Sequence, residues 1–157
     1  MATPTRISLA LALLLAPLGC DDGDMDEEAV PTERGCATET RADSYALGMT
    51  KQGARVQVAF VDAMPAPPSR GDNTWRLAFT DAAGVALEDL AIEVEPYMPD
   101  HMHGSSIEAQ VSASDVAGEY VIEPVNLFMP GLWQVRLYVE LPDGDSDEVG
   151  FDFCIDP

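Results

Sequence analysis

From about residue 54 onward the chain alternates apolar and polar residues with a period of two. ARVQVAFVD places Val56, Val58 and Phe60 on one face, and NTWRLAFTD does the same with Trp75, Leu77 and Phe79. LAIEVEPY sets Leu90, Ile92 and Val94 against Glu93 and Glu95, and SIEAQVSA sets Ile107, Ala109 and Val111 against Glu108 and Gln110. GEYVIEPV comes next, then GLWQVRLYVEL with Trp133, Val135, Leu137, Val139 and Leu141 inward, and EVGFDFCI with Val149, Phe151 and Phe153 inward. Successive strand side chains point to opposite faces, so runs of this kind predict half-buried β-strands. No segment keeps a helical period.

Turn chemistry separates the runs. Asp81-Ala82-Ala83-Gly84, Asp115-Val116-Ala117-Gly118 and Pro142-Asp143-Gly144 put Gly or Pro where the chain must reverse. About seven short strands, each with one apolar face, predict an all-β, immunoglobulin-like antiparallel β-sandwich over residues 45–157. Asp143, Asp145 and Asp147 alternate like the opening of a calcium loop. Glu148 stands where such a loop needs Gly, so a polar hairpin loop is the better account.

The N-terminal third differs. Residues 1–19 carry Arg6, then the apolar run Ile7 to Leu15, then Ala16-Pro17-Leu18-Gly19 ahead of Cys20. The run is too short to span a membrane. It resembles a lipoprotein signal peptide, although Pro17 stands where Leu is usual. That resemblance implies lipidation of Cys20 and an exported protein anchored to a bacterial membrane, its domain in the periplasm or at the cell surface. Of DDGDMDEE, residues 21–28, six of eight are acidic. Residues 20–44 are therefore expected to form a solvated tether.

Three cysteines are an odd number for an exported chain. With Cys20 lipidated, Cys36 and Cys154 remain and are expected to pair in an oxidising compartment. Cys154 alternates with Phe151 and Phe153, so the disulfide should staple the N-terminal segment across the outside of the last strand. The formal net charge is −20. Phosphate recognition needs clustered Lys and Arg, so nucleic acid is not an expected partner.

One stretch carries candidate chemistry. YMPDHMHG, residues 97–104, holds both histidines of the chain, His101 and His103, together with Met98 and Met102. Residues two apart in extended backbone project to the same side, where two imidazoles can chelate copper, zinc or nickel. Thioethers favour Cu(I), which adds Met98, Met102 and, from LFMPG, Met129 as candidate ligands. Asp100 or Glu108 is a candidate harder ligand, or an acceptor that orients an imidazole. The plainer reading makes Met98 and Met129 core plugs and His101 a hydrogen-bonded loop residue. The sequence holds no GxSxG elbow, no HExxH and no phosphate-binding Gly loop, so an enzyme is not expected.

The order of these blocks resembles the YtkA-like domain of bacterial envelope proteins, a family similar to FixH, an accessory protein of cytochrome oxidase assembly. The matching residues are Asn73 and Trp75, Asp81 and Gly84, Met98-Pro99-Asp100-His101-Met102-His103-Gly104, Gly118 and Tyr120, and Phe128-Met129-Pro130-Gly131-Leu132-Trp133. They span about residues 72–141. Met102 is a departure, because the family often has Gly there. The resemblance implies an immunoglobulin-like sandwich and, through the His/Met motif, copper handling. It leaves open a module without metal that packs structurally or binds another envelope protein.

Overall fold

The computed structural model of the chain describes residues 35–157. The signal segment, Cys20 and the acidic run 21–28 lie outside the described residues. A 3-10 turn at Cys36–Thr38 leads into strands β1 (Thr50–Gln52), β2 (Gln57–Met64), β3 (Gly71–Thr80), β4 (Ala91–Met98), β5 (His103–Gly104), β6 (Gln110–Ala113), β7 (Glu119–Leu127), β8 (Gly131–Glu140) and β9 (Ser146–Ile155). They form two antiparallel sheets, ordered β1-β2-β3-β7-β6 and β5-β4-β8-β9. This is the expected all-β sandwich, with nine strands among the described residues rather than about seven. The two additions, β1 and β5, are three and two residues long, too short to show a period.

Alternation placed the inward faces correctly in the long strands. Val56, Val58, Phe60, Trp75, Leu77, Phe79, Trp133, Val135, Leu137, Val149, Phe151 and Phe153 are all buried in one core. Each such aromatic or aliphatic side chain contributes about 1.5–3 kcal/mol relative to staying exposed. Phe60 organises the centre, meeting Trp75 at 5.0 Å and Phe151 at 4.8 Å between ring centroids, both edge-to-face. Ile107 is the exception. It precedes β6 and remains 44% exposed, so the alternating run begins later than its pattern suggests.

Cys36 and Cys154 are disulfide-bonded, with Cα atoms 5.4 Å apart. The bridge sits on the outer side of β9, as the alternation requires. Asp43 adds backbone pairing there: its N–H donates to Asp152 O at 2.6 Å, and its carboxylate accepts the Asp152 N–H at 2.8 Å. Residues 36–43, read above as the end of the tether, thus form a strap along the last strand.

The strand directions gather the segments 65–70, 99–102 and 128–130 at one end of the sandwich, with the strap and the C-terminus. Buried Asn73 fixes this end. Its amide donates to Ser69 O, Gly71 O and Val125 O, and its oxygen accepts the Ser69 N–H. A buried amide must be satisfied in this way to avoid a desolvation cost.

Candidate functional site

The YMPDHMHG stretch is a tight hairpin between β4 and β5. Met98 pairs with His103 across it, and Met98 O accepts the Met102 N–H at 2.8 Å. Met102 closes the turn with φ 55°, in the left-handed region that side chains other than glycine rarely adopt. The two histidines therefore do not share a side through extended backbone, as the sequence suggested. They are brought together by the turn, with ring centroids 5.8 Å apart and planes tilted by 37°.

The second block closes over the same end. Phe128 stacks on His103 at 5.7 Å and 25°, and meets Trp133 edge-on at 5.5 Å. The indole N–H of Trp133 donates to Met129 O at 2.9 Å, which sets the path of the 128–130 loop. Two glycines of the motif have structural reasons. A Cβ at Gly104 would lie 2.8 Å from the backbone oxygen of Pro96, and Gly131 has φ 122°, where a side chain is strained.

The methionines part company. Met98 is 1% exposed and fills the core below His103, whereas Met102 is 80% exposed beside the histidines. Met129 is half-buried against the core. Asp100 is gripped by Arg41, whose two terminal nitrogens donate to its carboxylate oxygens at 2.8 and 2.6 Å. Arg41 also binds Glu39, and its hydrogen bonds hold the Glu39 carboxyl down at about 2. Glu108 lies away from the hairpin's tip, lining a cleft with Glu93 and Pro96. Among the described residues, no group of three or more His, Cys, Asp and Glu side chains is arranged to hold a metal ion.

Arg41 and Phe128 were not among the candidate residues. Phe128 had a signal, since it opens the FMPGLW block. Arg41 had none, because 59 residues separate it from Asp100. The strap and the hairpin flank a cleft of about 1000 Å³ lined in part by Arg41, Asp100, His101, Pro130 and Leu132. Chemically, this end offers two neighbouring imidazoles and an exposed thioether beside Arg41, which pairs with both Asp100 and Glu39.

The family model described as YtkA-like matches residues 50–138. That range contains both the hairpin and the FMPGLW block, and it begins earlier than the 72–141 expected from the motifs. In fold the chain is similar to the crystal structure of a DUF4426 family protein from Pseudomonas aeruginosa PAO1, with a TM-score of 0.51 and 12% identity over 69% of this chain and 97% of that one. At such identity the likeness speaks for fold alone. No curated protein matches the sequence.

Proposed function

This chain belongs to the YtkA-like family, and from that premise we propose that it is an exported envelope lipoprotein, anchored through Cys20, that holds or passes copper at the β4–β5 hairpin. The observation that carries the reading is the 5.8 Å separation of the His101 and His103 rings at a solvent-facing turn. Metal–imidazole bonds of about 2.0–2.1 Å keep both rings within reach of one ion. Exposed Met102 adds a soft donor, a set suited to Cu(I), whose ligands are imidazoles and thioethers. Met98 supports the loop from within the core, and half-buried Met129 packs against it. Arg41 holds Asp100 and so restrains the turn in which His101 sits. No catalytic turnover forms part of the proposal.

The test is copper affinity of the full chain, measured against a competing chromophoric chelator, beside His101→Ala/His103→Ala. Loss of binding by at least tenfold in the variant is expected. Equal, weak binding by the two proteins would overturn the reading. Mass spectrometry of protein taken from its native membrane should show a lipid-sized addition at Cys20; an unmodified cysteine there would remove the anchor.

The stacking of His103 on Phe128 favours a second reading, in which the motif is packing and the domain serves as a structural or interaction module of the envelope. The double variant then loses thermal stability with or without copper. A ligand of the native state must raise its melting temperature, so added copper separates the two readings: a rise confined to the unsubstituted chain supports the first.

A further inference from the structure

The sandwich is open along one side. Residues 91–95 of β4 pair with β8, and on their other side no strand of the described residues adds to them; β5 reaches only Tyr97 and Met98. Pro96 O accepts the Ser105 N–H at 3.1 Å, so Pro96 turns its backbone toward the β5 side. By the alternation of an antiparallel ladder, Ile92 and Val94 turn their N–H and C=O groups the same way, onto the open edge. A row of unpaired backbone groups is a template for another strand.

The side chains along this edge match such a guest. Leu90, Ile92, Val94, Ala109 and Val111 are only partly buried, whereas the inward residues of β3 and β8 are fully buried. The apolar floor between β4 and β6 is thus left incompletely covered. Two clefts of about 480 Å³ each run along it and meet at Glu108. Their polar rim carries Asp89, Glu93 and Glu108, and no Lys or Arg lines either cleft; Glu95 beside them is already taken by Arg136 and the Tyr138 hydroxyl. A second copy of this chain, with net charge −20, would bring like charges together.

We propose that the β4 edge accepts an extended, basic segment of a partner protein as an added strand, paired through the backbone of Ile92 and Val94. Apolar side chains of the guest cover the floor, and its Lys or Arg residues meet the acidic rim. This mode draws affinity from main-chain hydrogen bonds and specificity from alternate side chains. It is independent of the copper reading, because the edge lies away from His101 and His103.

The probe is a fluorescent peptide of alternating Lys and Val, about the length of β4, with an alternating Glu and Val peptide as control. The full chain is expected to bind the basic peptide at least tenfold more tightly, with slowed hydrogen exchange at the Ile92 and Val94 amides. Val94→Pro removes one edge donor where an edge strand tolerates proline. It should abolish binding while the far-UV circular dichroism stays unchanged. Glu93→Lys/Glu108→Lys should reverse the preference toward the acidic peptide, which keeps the proposal testable if Val94→Pro unfolds. Basic-peptide binding without protection of Ile92 and Val94, no binding at all, or dimerisation of the chain through this edge would each overturn it.

Discussion

Phe128 lies flat against the imidazole of His103, with ring centroids 5.7 Å apart and planes 25° from parallel. The contact joins the two sequence blocks that carry the family motif. It also orients the half-buried histidine of the pair, while His101 stays exposed. Phe128→Ala is expected to cost about 1 kcal/mol, less than a core deletion, because the ring is 44% exposed. The ring protons of His103 should shift in the NMR spectrum while those of buried Trp75 stay in place. An unmoved His103 would deny the stack.

Met102 takes a left-handed backbone conformation that suits glycine better than a residue with a side chain. A left-handed residue with a side chain costs about 1–2 kcal/mol, and a β-branched one is worse placed still. Met102→Val should lower the melting temperature by an amount equivalent to about 1 kcal/mol or more. Met102→Gly should hold it nearly constant, since the relieved strain offsets the extra entropy of unfolded glycine. Denaturant titration of both variants checks the pair.

Asp147 ties the turn before β2 to the start of β9. Its carboxylate accepts N–H groups of Ala54 at 3.0 Å, Arg55 at 2.7 Å and Val56 at 2.8 Å. Burial works to raise its pKa, but these backbone donors prevail and lower it. Asp147→Ala leaves the donors without their acceptor, a loss of about 2–3 kcal/mol, readable as a lower urea midpoint. Because the folded-state pKa is depressed, the contribution is present above the ordinary carboxylate range and fades as pH falls through the folded value. The variant's deficit should therefore shrink in acid.

Asp152 behaves oppositely. Burial pushes its carboxyl up, and the neighbouring Asp43 adds to the effect. A raised folded-state pKa means that stability is fully present below the unfolded value and is lost as pH rises through the folded one. Asp152→Asn should thus melt higher than the unsubstituted chain at neutral pH. That advantage should disappear below the ordinary carboxylate range; a pH-independent difference would contradict the assignment.

The Cys36–Cys154 bridge closes a sequence separation of 118 residues. The chain-entropy account gives such a closure about 4–5 kcal/mol. Cys36→Ser/Cys154→Ser should lower the urea midpoint accordingly. Faster hydrogen exchange should be concentrated in the strap and β9, since Asp43 pairs with Asp152 only while the strap stays close.

Alternation by itself determined the sandwich and the inward faces of its long strands, because a strand buried on one side must repeat every two residues. Setting Cys20 aside as the expected lipid site left Cys36 and Cys154 as the pair, and the face of Cys154 put the staple on the outside of β9. The order of the motif blocks located the loop at residues 97–104, but not the β5 pairing that makes it a hairpin. What only the tertiary structure decided involves partners distant in sequence. Met98 and Met102 are four residues apart, yet one is core and the other solvent-facing, because Met98 ends β4 and Met102 sits in the turn, itself in the left-handed conformation. Asp143, Asp145 and Asp147 spell the same alternation, yet Arg55 pairs with the first two and the turn at 54–56 claims the third. Ile92 and Val94 read like any other strand residues. On their other side β5 reaches only Tyr97 and Met98, a pairing that no local period announces.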